Sequence, residues 1–213
     1  VAYVSGRRLG VIAFDVSRPS NIVLLGSLRQ LRGQKNEFEM SFWMEKKDNY
    51  LYVSDSVIRR GSVEIIDVSD PSNMRHVRTL LKNAHPSGMA LVDDRLYVVD
   101  RSNGGLHVYD AKRSSRPVLR GSISGLGEDP RRVNVVGSTA IVSSTTGFQL
   151  VDVSDPRNMF VDRLINGPSR GAHPTVFGEQ VALPFLDAGA ILIADGNVLD
   201  NRVVIEGRST IVD

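Results

Sequence analysis

The nine residues "IIDVSDPSN" at 65–73 return almost unchanged as "LVDVSDPRN" at 150–158, and "FDVSRPSN" at 14–21 is a third version. The aspartate that opens the phrase, Asp67, has counterparts at Asp15, Asp110, Asp152 and Asp195, spaced 52, 43, 42 and 43 residues apart. Four of five units thus share one period, and the first carries an insertion. Five units of about 42 residues account for essentially the whole chain of 213, read as one domain over 1–213.

Each unit breaks into four short β-type runs. In the third they are "GMALV" (88–92), "RLYVVD" (95–100), "GLHVYDA" (105–111) and "VLRGSI" (118–123), separated by Asp-Asp, Ser-Asn-Gly-Gly and Ser-Ser-Arg-Pro turn clusters. Long 3.6-residue periodicity is missing, so the chain reads as all-β. Four strands per unit at a period in the low forties is the arithmetic of a propeller blade, and five units predict a five-bladed β-propeller. The chain opens on a second-strand phrase, "VAYVSG", and closes on a first-strand phrase, "STIVD". Pairing of the C-terminal strand (209–213) with the N-terminal strand (1–6) would complete one blade and remove free edges.

The units "YLYVSD…GSVEIIDVSDPSN" (50–73), "YVVD…GGLHVYDA" (97–111) and "TAIVSSTTGFQLVDVSDPRN" (139–158) resemble the LVIVD-repeat family. The first unit departs with Arg18 in place of the second aspartate, and the fifth, "IADGNVLDN", loses the Ser-Asp-Pro. The resemblance implies a bacterial or archaeal propeller, often exported or surface-associated, which favours an extracellular or periplasmic location. It implies no single activity.

Composition narrows the classes. Hydrophobic content of 41% with 23% charged residues is globular. No apolar run approaches the length of a membrane helix, and the opening "VAYVSGRRLG" has neither the charged start nor the apolar core of a signal peptide. Cysteine is absent, which excludes disulfides, zinc-thiolate centres and thiol nucleophiles. Of 26 basic residues only five are lysine, so the positive charge is mostly planar guanidinium suited to carboxylates and phosphates.

Within a strand Val63, Ile65 and Asp67 share one face, and an aspartate at strand end is placed to accept the N–H groups of the turn beyond it. The phrase is locked by proline and lacks the glycine of a calcium loop, so it reads as scaffolding rather than metal site. In a propeller it lies opposite the face where ligands meet the channel mouth. That other face collects loops 6–9, 55–61, 101–104, 124–131 and 166–173, rich in arginine, whose charge would steer anions. First-strand positions set Arg132, His173 and Arg208 at the channel mouth, with His85, Asp129 and Arg170 just outside and Arg131 and Arg59 in the adjoining loops.

The reading is a non-catalytic, monomeric binding propeller for an anionic small molecule, glycan or protein, using Arg132, Arg170, His173, Arg208, His85, Arg131 and Arg59. The alternative is a small lyase, isomerase/cyclase or glycoside hydrolase, with Glu39, Asp129 and His173 as catalytic groups. Neither invokes a metal or cofactor. Aromatics are not interleaved with the arginine pairs, which argues against nucleic acid. The insertion "LRQLRGQKNEFEMSFWMEKKDN" (28–49) holds the only tryptophan, and Phe38, Met40, Phe42 and Met44 at period 2 are expected to pack between blades.

Overall fold

The computed structural model describes residues 1–29, 31, 38–177, 180–187 and 190–195. Among them are eighteen strands and no helix. They form five sheets in chain order, with sequential strands as neighbours. The first contains β1 (Ala2–Ser5), β2 (Val11–Asp15) and β3 (Val23–Leu28). The second contains β4 (Ser41–Lys47), β5 (Tyr50–Asp55), β6 (Gly61–Asp67) and β7 (Arg75–Ala84). The third contains β8 (Pro86–Val92), β9 (Arg95–Asp100), β10 (Gly105–Asp110) and β11 (Val118–Ile123). The fourth is β12 (Val133–Val136), β13 (Thr139–Ser144), β14 (Gly147–Asp152) and β15 (Phe160–Asn166). The fifth is β16 (Thr175–Phe177), β17 (Gln180–Phe185) and β18 (Ala190–Asp195). The strands predicted for the third unit agree to within two residues. The predicted closing strand 209–213 and Arg208 lie outside the described residues.

The chain divides into two compact units: Val1–Leu96 with Tyr109–Leu119, and Tyr97–Val108 with Arg120–Asp213. In the first, the core gathers Val11, Ala13, Leu31, Phe38, Leu51, Val53, Ile66, Val68 and Met74, with Tyr3, Leu25, Leu28 and Met44 packed around it. In the second, Ile141, Phe148, Leu150, Ile165, Val181, Leu183 and Phe185 form a cluster. There Phe148 and Phe185 meet edge to face at 5.3 Å. Val63, Ile65 and Ile66 all lack exposed surface. Both faces of the strand are therefore covered, which the adjacent apolar pair Ile65–Ile66 permits and a strict alternation would not.

The insertion meets its expectation in part. Phe38 is buried and Met44 packs on the core, but Met40 and Phe42 are 41% and 43% exposed. At Phe42 the cause is a bulge: Ser41 pairs with Asp55, yet Met44 pairs with Val53, so the ladder slips between them and the period of two is broken, while Met40 lies just before β4.

The repeated phrase is a turn, as its chemistry predicts. The N–H two residues on donates to the strand-end carboxylate in four units: Ser17 to Asp15 (2.8 Å), Ser69 to Asp67 (2.9 Å), Lys112 to Asp110 (3.0 Å) and Ser154 to Asp152 (2.9 Å). The second aspartate is capped likewise, by Ser72 on Asp70 and Arg157 on Asp155. Where Arg18 or Arg113 replaces it, the backbone bond that closes the turn survives, from Asn21 to Arg18 (2.8 Å) and from Arg116 to Arg113 (2.8 Å).

The same turn is also a packing joint. A Cβ built on Gly26 of β3 would stand 2.6 Å from the Pro71 carbonyl oxygen, and one on Gly121 of β11 only 1.6 Å from that of Pro156. In both cases the phrase of one sheet rests on a glycine in the outer strand of the sheet before it.

Candidate functional site

The second unit carries a cluster of cations built around one acid. The loop 124–131 is anchored by Leu126, which has no exposed surface and donates its N–H to the Gly104 carbonyl (2.8 Å). Thr145 adds a bond to the Glu128 carbonyl (3.1 Å). So held, Asp129 takes φ 50° and presents both carboxylate oxygens. Arg101 Nε donates to Oδ1 at 2.5 Å, and Arg131 Nε donates to Oδ2 at 2.7 Å. Burial works against ionisation of Asp129, but the hydrogen bonds and charges of Arg101 and Arg131 outweigh it and hold its pKa below the ordinary carboxylate value.

Arg132 follows at once. Its N–H donates to the buried Ser143 hydroxyl (3.1 Å) and its carbonyl accepts the Ser143 N–H (2.9 Å), while Arg131 N–H reaches the Ser143 carbonyl (3.0 Å). This backbone stitch to β13 fixes where the two guanidiniums start. Burial first, then repulsion from Arg131 and Arg101, pushes the Arg132 pKa down.

His173 comes to the same place from the next sheet. Ala172 N–H donates to the Pro184 carbonyl (2.8 Å), and Asn134 Nδ2 on β12 donates to the Pro174 carbonyl (3.2 Å). The histidine is half-buried, and burial first and Arg132 second hold its pKa below the ordinary 6.5. Arg170 lies three residues earlier, its carbonyl accepting the Leu186 N–H (3.0 Å). Its Nε is buried with no hydrogen-bond partner among the described residues.

Of the sequence-predicted residues, the structure therefore brings together Asp129, Arg131, Arg132 and His173, with Arg170 on the same stitched segment. It adds Arg101, whose loop was noted but whose part as a partner of Asp129 depends on a 28-residue separation. Glu39, His85 and Arg59 belong to the first unit. Glu39 accepts Arg60 Nη2 at 3.2 Å on the surface. His85 is buried at the β7–β8 junction, and Arg59 is exposed in the β5–β6 turn at φ 59°. Asp129, with both oxygens occupied by guanidiniums, is held as a charged strut.

Two features of the first unit escaped sequence reasoning. A cavity of about 490 Å3 is lined by Gly6, Arg7, Arg8, Glu39, Met40 and Val57. Glu64, with no exposed surface, accepts the hydroxyls of Ser62 (2.5 Å) and Thr79 (2.8 Å) and shares a hydrogen bond with His76 Nε2 (2.7 Å). The signal for the latter is a glutamate set between Val63 and Ile65 in the interior of β6. Among the described residues no three His, Asp or Glu side chains group as a metal site, and no helix is long and apolar enough to cross a membrane.

Residues 47–80, from the end of β4 into β7, match the LVIVD repeat, so this chain carries a repeat of that family. No curated protein matches it. Among solved structures, a functionally unknown protein from Desulfotomaculum acetoxidans DSM 771 is similar at TM-score 0.74 and 10% identity, over 95% of this chain and 64% of its own. The Cps50 (Swd1) beta-propeller domain of Myceliophteria thermophila is similar at TM-score 0.65 and 12% identity, over 87% of this chain and 63% of its own. The computationally designed Ika4 protein is similar at TM-score 0.58 and 10% identity, over 79% of this chain and 97% of its own. The chain spans less than two thirds of the length of the first two. At such identities the likeness speaks to fold alone, and with the repeat it agrees with reading the four-stranded antiparallel sheets as β-propeller blades.

Proposed function

We propose that this LVIVD-repeat chain is a five-bladed β-propeller, closed by pairing of residues 209–213 with 1–6, that binds an anionic small molecule, glycan or protein without catalysing a reaction. Five sheets in chain order support the blade count, and a three-stranded first sheet that begins on a second-strand phrase supports the closure.

The observation that carries the binding reading is the convergence of cations at half-buried Arg132. Arg101 and Arg131 hold Asp129 between them and both act on Arg132, Arg132 in turn acts on His173, and burial adds to the repulsion that Arg132 and His173 feel. An anion beside Arg132 relieves that repulsion and gains charge-assisted hydrogen bonds in a half-buried setting, where they are stronger than in bulk water. The two-carboxylate chemistry of the enzyme alternative finds no such support, because Asp129 and Glu39 are each engaged by arginine.

Calorimetric titration with citrate and with a sulfated oligosaccharide tests the proposal. Wild type is expected to bind at least one of them at low salt, and Arg132→Gln to weaken that binding about tenfold or more, in line with about 1.5–3 kcal/mol for a charged hydrogen bond. Equal affinity in the variant, or no binding of either probe by wild type, refutes it.

A further inference from the structure

We infer that the cavity of the first unit is a second binding site, for an oxyanion (a phosphate or carboxylate) carried on an apolar body. All its described lining residues belong to that unit, and it does not depend on Arg132.

The cavity measures about 490 Å3, room for a small organic molecule. Its wall holds Arg7 and Arg8, both exposed, and neither makes an ion pair among the described residues. Two adjacent guanidiniums without acid partners suit a multivalent oxyanion, whose oxygens accept forked N–H pairs. Its floor holds Val57 and Met40, and Met40 stands 41% exposed, though Phe38 two residues earlier is buried. An apolar side chain left open beside two arginines is the pairing that a ligand with a charged end and an apolar body requires.

Both walls are held in place before any ligand arrives. The Arg7 carbonyl accepts three donors: Gly10 N–H (3.1 Å), Ser41 N–H (3.4 Å) and the Ser41 hydroxyl (2.9 Å). Ser41 is buried and its hydroxyl also reaches the Gly10 carbonyl (3.2 Å). The turn is thereby fixed with Arg7 at φ 50°, a conformation an arginine seldom adopts without such support. The opposite wall hangs on Asp55, which is buried and accepts the N–H of Met40 (2.7 Å) and of Glu39 (3.4 Å). A site held this way loses little freedom on binding.

Among the described residues Glu39 is the one acid on the wall, and it is engaged by Arg60 at 3.2 Å. With Arg7 and Arg8 against Glu39, itself paired to Arg60, the described lining of the cavity is cationic. The same carboxylate gives the experiment a second sign: removing it favours an anion and disfavours a cation or zwitterion.

Titration with phenyl phosphate, followed by calorimetry on the folded chain at low salt, is the test, with inorganic phosphate run in parallel. Phenyl phosphate is expected to bind more tightly than inorganic phosphate. Arg8→Gln, a surface change that leaves the Ser41 clamp intact, should weaken it about tenfold, and Glu39→Gln should tighten it about threefold. Arg132→Gln should leave this binding unchanged, so failure here and failure of the site in the second unit are separable. Absence of phenyl phosphate binding, an unchanged affinity in Arg8→Gln, weaker binding in Glu39→Gln, or equal affinity for the two phosphates would each overturn the assignment.

Discussion

Replacing Gly121 with alanine probes the joint on which the repeated phrase rests. The added Cβ would lie 1.6 Å from the Pro156 carbonyl oxygen and 2.6 Å from its carbon. Carbon–oxygen contacts close to rather more than 3 Å, so the turn 154–158 must retreat by about 1.5 Å or the outer strand must bend away. Overpacking of this kind costs about 1–3 kcal/mol, and the backbone obstacle places it at the upper end. Alanine returns about 0.5–1 kcal/mol through reduced freedom of the unfolded chain. A net loss near 2 kcal/mol corresponds to a fall in Tm of about 4–8 °C for a domain of this size. Thermal and urea melts read it directly. Gly125→Ala is the control: its φ is +77° but nothing lies within 4 Å, so only the left-handed backbone is penalised, at about 1–2 kcal/mol. Gly26→Ala, at 2.6 Å from the Pro71 carbonyl oxygen, should fall with Gly121. If Gly121→Ala melts within about 1 °C of wild type, the phrase is not a packed joint and its part as blade scaffolding is wrong.

Two further outcomes follow from charge. His173 titrates below its ordinary 6.5 because of burial and then Arg132; Arg132→Gln should therefore raise its pKa, and a bound anion should raise it in wild type, both visible by NMR of the imidazole. Anion affinity should then increase as pH falls through the His173 titration, and a flat affinity across it contradicts a shared site. Asp152 is held below its ordinary 3.8 by the Ser154 hydroxyl and then the Ser154 N–H. A depressed folded-state pKa means stability that is present above about 3.8 and is lost as pH falls through the folded value. Ser154→Ala should make the acid limb of the stability profile shallower, and an identical limb would show that the hydroxyl contributes nothing.

Much of the fold was legible because it is written locally and repeatedly. Asp-Val-Ser-Asp-Pro specifies an Asx-type turn through atoms two residues apart, so it forms wherever the sequence places it, and its spacing measures the blade. The candidate site was legible only as a loop inventory. Arg132 and His173 are expected together because the repeat aligns them, and Arg131 because its loop adjoins Arg132, whereas Glu39, His85 and Arg59 stand in the other unit. Phe42 breaks the expected period because a bulge, which no local pattern announces, shifts the pairing of β4, and Met40 lies outside the strand altogether.

Sequence by itself thus determined the period, the strands and the turn, since each depends on contacts within a few residues and is confirmed by repetition. Tertiary structure alone decided which charges meet. Arg101 reaches Asp129 across 28 positions, Arg132 acts on His173 across 41, and the clamp of Ser41 on Arg7 spans 34. Electrostatic partnership depends on distance in space and on burial, and neither is encoded by spacing along the chain until the blades are packed.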